Sequence, residues 1–126
     1  VIDKWFAIQA GSRLPDTLQR VKTLLNHPAF RFTNPNKVRA LIGRFCMANQ
    51  VRFHAADGEG YRFLTDQVLA LDKINPQMAA RLVSTLSRWR RFDANRQDLM
   101  QTELKRIVSA PEISKDTFEI VSKSLD

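Results

Sequence analysis

The sequence of 126 residues predicts an all-α fold of stacked antiparallel helix pairs, about seven helices in all. Apolar residues recur at helical spacing along the chain, and no segment alternates apolar and polar residues as a half-buried strand does. Three helix starts fall at Asn34, Asn75 and Ser114, which are 41 and 39 residues apart. This spacing is close to the period of about 40–47 residues in HEAT and armadillo repeats. We therefore expect a HEAT/armadillo-like α-superhelix rather than a closed bundle.

The first three helices are read from apolar spacing and from helix-start signals. The chain opens within a helical pattern, without an initiating Met, which we interpret as a fragment of a longer protein. The apolar residues of this opening pattern are Val1, Ile2, Trp5, Phe6 and Ile8. A second helix is predicted from about Pro15 to Asn26. Asn34 then caps a third helix with Pro35 in its first position, where the missing N–H has no helical partner to lose.

Four further helices are predicted in the second half of the chain. One runs from about Gly60 to Asp72, with apolar residues on its inner side. The next three follow the cap residues Asn75, Asp93 and Ser114. Ile113, directly before the last cap, is placed to pack against Phe118 as a hydrophobic staple.

Composition favours one globular domain spanning residues 1–126. Hydrophobic residues make up 44% and charged residues 26%, which is ordinary for a folded protein. No apolar run approaches the ~20 residues that cross a bilayer, so no membrane contact is expected. The single cysteine, Cys46, lies within an apolar stripe and is predicted to be a small buried side chain. Its solitary occurrence is typical of a reducing compartment, and we expect a cytoplasmic protein.

The net charge of +7 indicates a negatively charged partner without choosing among nucleic acid, a peptide carboxylate and an acidic protein domain. The segment SRWRRFDANR, residues 87–96, allows a nucleic-acid interpretation, since its arginines can meet phosphates while an aromatic residue stacks on a base. Trp89 also continues an apolar stripe, however, and arginines at a helix C-terminus offset its dipole. No nucleic-acid signature accompanies the cluster, so no specific nucleic-acid binding is expected.

The sequence contains no recognisable catalytic or metal-binding constellation. His27 and His54 do not belong to H-E-x-x-H, which places two zinc ligands one helical turn apart. His54 with Asp57 and Glu59 offers too few ligands for zinc. The loop within FHAADGEGYRFL, residues 53–64, is interpreted as a structural turn. The alternative is a rim loop that touches a ligand or a partner domain.

Five segments carry a resemblance to a known family: DKWF, NPNKVRALIGRF, FHAADGEGYRFL, NPQMAARL and RRFDANRQDLM. In this order, and over nearly the whole chain, they resemble the C-terminal helical domain of the bacterial aminopeptidase N family. The resemblance implies a thermolysin-like zinc metallopeptidase of the gluzincin type that removes N-terminal amino acids from peptides. It also implies that the zinc ligands and catalytic residues belong to an upstream catalytic domain. No catalytic residue, metal ligand or cofactor is therefore assigned to these 126 residues.

Arg39 and Arg81 are the candidate site residues, because each lies shortly after an Asn-Pro helix start and at the border of an apolar stripe. In the family resembled, the last domain covers the catalytic domain and encloses an internal chamber. The resemblance therefore favours chamber-lining arginines that contact the distal part of a peptide substrate. The alternative is that both are surface arginines bonded to nearby loops. At the level of the whole chain, the alternative function is a stand-alone basic helical module that binds nucleic acid or an acidic protein.

Overall fold

The computed structural model describes residues 2–126, which divide into two compact units on either side of the bond between Ala55 and Ala56. Residues 2–126 form eight α-helices, one π-helical segment and one 3-10 segment, and none of them forms a β-strand. The all-α prediction is confirmed. The helix beyond the predicted seven is a four-residue element that is too short to show apolar periodicity.

The first unit holds four α-helices and the π-helical segment. In chain order they are α1 (Ile2–Ala10), α2 (Thr17–Leu24), α3 (Pro35–Val38), the π-helical segment (Arg39–Ala48) and α4 (Gln50–Phe53). The predicted cap of α3 is present, since Oδ1 of Asn34 accepts hydrogen bonds from the backbone N–H groups of Asn36 at 3.0 Å and Lys37 at 3.4 Å. Val38 keeps right-handed helical angles, so α3 continues directly into the π-helical segment.

The core of the first unit forms where α1 and α2 pack against the π-helical segment. The apolar stripe predicted for that segment is buried, and it consists of Val38, Leu41, Ile42, Phe45 and Cys46. The interpretation of α1 needs correction, because Trp5 is 39% and Ile8 is 61% exposed. The face of α1 that points inward carries Phe6 and Ala10, one turn apart. Val1, the first residue of the predicted pattern, lies outside the described residues.

The second helix begins later than predicted. Leu14 is 55% exposed and lies in the turn before α2. The Thr17 hydroxyl donates to the backbone oxygens of Leu14 at 2.7 Å and Ser12 at 2.9 Å, which holds this turn closed. The chain therefore enters the helix only at Thr17, and Pro15 belongs to the turn.

Asn49 joins the two ends of the first unit. Its side chain is buried, and Nδ2 donates to the backbone oxygens of Ala10 at 2.9 Å and Ser12 at 2.7 Å. Its Oδ1 accepts from the backbone N–H of Arg52 at 3.3 Å and so caps α4. One amide thus satisfies carbonyls at the C-terminal end of α1 and starts the short helix that sequence periodicity does not show.

The second unit holds four α-helices and the 3-10 segment. In chain order they are α5 (Glu59–Leu71), α6 (Pro76–Val83), the 3-10 segment (Leu86–Arg91), α7 (Ala94–Val108) and α8 (Lys115–Leu125). The three predicted caps are present: the side chains of Asn75, Asp93 and Ser114 each accept a backbone N–H three residues later, at 3.2–3.3 Å. Within this unit, α5 packs against α6 and α7, and both of these pack against α8.

The core of the second unit follows the predicted apolar pattern of α5 and α6. The predicted inward residues of α5 are fully buried, and they are Tyr61, Leu64, Val68 and Leu71. Gly58, with a φ of 75°, forms the left-handed turn before α5, where a Cβ would lie 3.1 Å from the side chain of Leu99. Only glycine fits this turn without strain, which supports the structural interpretation of the loop. Phe118 is 46% exposed, so it is not part of the core of the unit.

Candidate functional site

The N-terminal end of α8 is fixed by a buried carboxylate. Asp72, directly after α5, accepts hydrogen bonds from the backbone N–H of Ser114 at 2.7 Å, the Ser114 hydroxyl at 2.6 Å and the Thr117 hydroxyl at 2.6 Å. Burial acts to raise the pKa of Asp72, but the hydrogen bonds from Ser114 and Thr117 outweigh it and hold the pKa below its usual value. The carboxylate therefore stays ionised while it ties α5 to the start of α8.

The C-terminal end of α8 is fixed by the 3-10 segment. The backbone oxygen of Ser124 accepts from Nε1 of Trp89 at 2.9 Å and from a guanidinium nitrogen of Arg90 at 3.2 Å. The guanidinium of Arg90 also lies over the Trp89 ring, 4.3 Å from its centroid. The hydroxyls of Ser124 and Ser87 are 3.0 Å apart and hydrogen-bonded. Trp89 is only 8% exposed, so it is occupied by this contact and is not presented to a nucleic-acid base.

Between α6 and α8 lies an open groove of about 440 Å³. Its α6 side is formed by Gln77, Ala80, Arg81 and Ser84, which lies at the C-terminal end of that helix. Its α8 side is formed by Asp116, Glu119 and Ile120. The anchors at both ends of α8 fix the position of that helix, and its carboxylates line one side of the groove while Arg81 lines the other.

Arg81 is exposed in this groove and has no hydrogen-bond or ion-pair partner for its guanidinium among residues 2–126. Asp116 and Glu119 share the groove, yet no carboxylate oxygen lies within 4.0 Å of the Arg81 guanidinium nitrogens. Glu119 instead reaches Lys115 at 3.9 Å on the exposed surface of α8. The position predicted from sequence is thus an unpaired cation facing two carboxylates across open space.

Arg39 occupies a different environment in the first unit. It lies at the junction of α3 and the π-helical segment, is exposed, and donates to Oδ1 of Asn36 at 3.2 Å. This bond connects residues on the same helical turn and leaves the remaining guanidinium donors of Arg39 open to other partners. Arg39 and Arg81 therefore differ, since one is bonded to its own helix and the other stands in a groove.

The described chain offers no metal centre and no activated nucleophile. Within residues 2–126, no three His, Cys, Asp or Glu side chains are grouped so that they could hold a metal ion. A zinc ion of the kind implied by the resemblance has no fitting ligand set here, and we assign no reaction step to it. Cys46 is buried, and burial raises the pKa of its thiol, which confirms the prediction of a small core side chain. None of the described helices is both long and apolar enough to cross a membrane.

Comparison with known proteins gives the family of the chain. The family described as "Domain of unknown function (DUF3458_C) ARM repeats" matches residues 1–126. The chain belongs to this ARM-repeat family. That assignment confirms the armadillo-like architecture expected from the spacing of helix starts.

Three aminopeptidase N proteins are similar to this ARM-repeat domain. The one from Caulobacter vibrioides is 49% identical, that from Haemophilus influenzae 47% and that from Escherichia coli 42%, each over 99% of this chain. The crystal structure of Legionella pneumophila aminopeptidase A in complex with aspartic acid superposes on 99% of the chain with a TM-score of 0.93 and 44% identity. The chain spans 14% of the length of each of these proteins. The predicted resemblance to bacterial aminopeptidase N is confirmed.

Two features of this ARM-repeat domain escaped the sequence interpretation. The carboxylates of Asp116 and Glu119 were not connected with Arg81, although all three line one groove. Their spacing, three residues apart on one face of a predicted helix, was the available signal. The anchor at Asp72 was also missed, because Asp72 follows the end of α5 and its partners lie more than 40 residues later. No local pattern connects positions so far apart.

Proposed function

We propose that this chain is the C-terminal, non-catalytic helical domain of a zinc-dependent aminopeptidase N, an enzyme that removes N-terminal amino acids from peptides. The observation that carries the proposal is 42–49% identity to aminopeptidase N over 99% of the chain, which covers only 14% of those proteins. A hydrolase of that size has ample chain elsewhere for its metal and its catalytic groups.

In the proposed enzyme, the domain covers the upstream catalytic domain of the same chain and limits access to an internal chamber. Arg39 and Arg81 contact the part of the peptide distal to the cleaved bond. The open guanidinium of Arg81 supports this role, since a planar fork without a partner can grip a carboxylate or backbone carbonyls in bidentate fashion. We further propose that the enzyme works in the cytoplasm, a reducing compartment in which a free, buried thiol such as that of Cys46 is common.

The test compares two substrates of the longer enzyme after Arg81→Ala. The KM for tri- to pentapeptides should rise by at least about tenfold, because a charge-assisted contact is typically worth about 1.5–3 kcal/mol. An aminoacyl anilide, which has no distal carboxylate, should be affected much less. Since the contact is made equally in ground and transition states, kcat should change little. Arg39→Ala should act in the same direction, and Arg81→Lys should recover only part of the loss.

The matched control is Arg91→Ala, which also removes one exposed arginine that has no side-chain partner among the described residues. It should leave the kinetics of both substrates unchanged. Thermal melts of each variant separate lost contacts from lost folding. Equal loss on the peptide and the anilide, or no loss on either, contradicts the distal-peptide role of Arg81.

The alternative function is a stand-alone basic module for nucleic acid or an acidic protein, and one observation favours it. Besides the net charge of +7, the arginines Arg88 and Arg91 are exposed in the 3-10 segment. A non-specific interaction of this kind should weaken steeply with added salt. Sub-micromolar, sequence-dependent binding of an oligonucleotide at physiological salt would support the alternative over the aminopeptidase role.

A further inference from the structure

The groove between α6 and α8 is lined by charges of both signs. A site that binds only a carboxylate group needs positive charge alone. Arg81 is the only cation among the residues that line it, and it faces the two carboxylates of Asp116 and Glu119. A ligand that offered only a carboxylate would gain one attractive contact and approach two repulsive ones. A ligand with a carboxylate and a cation at separate positions would complement both sides of the groove.

The apolar part of the groove adds a requirement for a stem between the two charges. Ala80 contributes from α6 and Ile120 from α8, so an aliphatic chain can lie between the polar groups. The volume of about 440 Å³ falls within the roughly 300–1,000 Å³ common for small-ligand sites. Lysine and arginine side chains have this form, with several methylene groups that end in a cation.

We propose that this groove binds the last residue of peptides that end in lysine or arginine. Arg81 receives the terminal carboxylate, while Asp116 and Glu119 receive the side-chain cation. The role of Arg81 rests on the proposed function above, and the basic side-chain subsite goes beyond it. The position of Asp116 in the first turn of α8 has an ordinary explanation, since a carboxylate there complements the helix dipole. Arg81 likewise lies in the last turn of α6, where a cation complements the helix dipole, and Glu119 has an exposed ion pair with Lys115 at 3.9 Å. These local roles leave the Arg81 guanidinium without a side-chain partner in the groove that it shares with Asp116 and Glu119.

The test measures binding of three N-acetylated peptides to the 126-residue chain by 1H–15N correlation spectra. The peptides are N-acetyl-Ala-Ala-Lys, its C-terminal amide, and N-acetyl-Ala-Ala-norleucine, which keeps the aliphatic stem without the cation. Acetylation removes the N-terminal ammonium, so the lysine side chain is the only peptide cation. We expect shifts concentrated on the residues of the groove. The amide and the norleucine peptide should each bind about threefold to fivefold more weakly, as expected for exposed charge pairs.

Two sets of variants separate the two contacts. Asp116→Asn with Glu119→Gln should abolish the preference for lysine over norleucine, and Arg81→Gln should abolish the preference for the free acid over the amide. The first control, Asp98→Asn with Glu112→Gln, removes two exposed carboxylates elsewhere in the unit. The second control, Arg91→Gln, removes one positive charge as Arg81→Gln does. Both controls should retain both preferences, and the dispersion of each spectrum reports folding.

The outcomes distinguish this inference from the proposed function. If the native chain binds the lysine and norleucine peptides equally, or if the carboxylate variants keep the lysine preference, the basic-residue subsite is overturned. The distal contact at Arg81 then still stands if the free acid binds better than the amide. If Arg81→Gln leaves the preference for the free acid intact, the carboxylate contact is overturned in both proposals. Shifts located outside the groove overturn the site itself.

Discussion

The two units of the chain fix a helix end in opposite chemical ways. In the second unit, the carboxylate of Asp72 accepts hydrogen bonds at the N-terminal end of α8. In the first unit, the amide nitrogen of Asn49 donates to carbonyls at the C-terminal end of α1. A helix N-terminus exposes N–H donors and carries partial positive charge, while a C-terminus exposes carbonyl acceptors and carries partial negative charge. The helix end therefore determines which side chain can fix it.

This difference predicts unequal sensitivity of the two units to their surroundings. A carboxylate at a helix start loses its function when protonated, whereas an amide does not titrate. The second unit should therefore respond to acid at Asp72, and the first unit should have no such response at Asn49. The units also differ at the surface. Among residues 2–126, seven large apolar side chains are exposed, and five of them lie in the first unit, namely Trp5, Ile8, Leu14, Met47 and Val51. The first unit therefore exposes more large apolar side chains than the second unit does.

The largest effect should come from Asp72→Ala. This change removes three hydrogen bonds to a charged acceptor and leaves the backbone N–H of Ser114 without its partner. We expect a loss of about 3 kcal/mol in the free energy of unfolding of the second unit. Denaturant unfolding and hydrogen exchange of the α8 amides measure it, with Asp98→Ala as an exposed control. If hydrogen exchange accelerated equally in α1 and α8, the effect of Asp72 would not be confined to the second unit, which contradicts this prediction.

The pH dependence of the second unit provides a separate test of the same anchor. The folded-state pKa of Asp72 lies below its ordinary value of 3.8. Its stabilising contribution is therefore fully present above that value and is lost as the pH falls through the folded pKa. In Asp72→Asn, α8 should lose less stability between about pH 5 and pH 2 than in the native chain. An unchanged acid response of α8 exchange would show that the Asp72 carboxylate does not anchor the helix.

A smaller effect is expected for Asn49→Ala in the first unit. It removes two neutral hydrogen bonds to Ala10 and Ser12 and the cap of α4. Neutral hydrogen bonds contribute less than those to a charged group, so we expect a loss of about 2 kcal/mol. Exchange should accelerate in α1 and not in α8, and the loss should not vary with acid. Asn26→Ala changes an exposed asparagine that has no side-chain partner and serves as the control.

The smallest effect should be that of Trp89→Phe. It keeps most of the buried ring but removes the indole N–H that donates to Ser124, where Arg90 remains as a second donor. We expect a loss of about 1 kcal/mol, confined to the second unit. The change in the midpoint of thermal unfolding measures it, with Trp5→Phe on the exposed side of α1 as the matched substitution. A loss above that for Asp72→Ala would place the main anchor of α8 at its C-terminal end.

Local chemistry made much of the fold predictable from sequence. Asn34, Asn75, Asp93 and Ser114 act as caps where they were expected, because a cap bonds to N–H groups two or three residues away. The burial of the apolar stripes of α5 and of the π-helical segment also followed from periodicity. The π-helical winding itself was not expected, since the same stripe suits ordinary α-helical turns.

The rest of the structure depends on contacts between residues that are far apart in the sequence. Trp5 and Phe6 are adjacent apolar aromatics, and only the packing of α1 against its neighbours decides that Phe6 is buried while Trp5 is exposed. The site was predictable only in part for the same reason. Arg81 was found from its place after a helix start, but its two acidic neighbours come from α8, 35 or more residues later. The distal peptide contact remains a prediction for both Arg39 and Arg81.

The position of Cys46 gives the first unit an internal reporter of its own opening. It is the only thiol in the chain and is 1% exposed, on the inner side of the π-helical segment. A thiol reagent can reach Cys46 only when the core of the first unit opens to solvent. The labelling rate therefore measures how often this core opens. The second unit has no thiol and would stay silent in the same experiment. The natural sequence thus allows opening of one half of the molecule to be timed without attaching a probe.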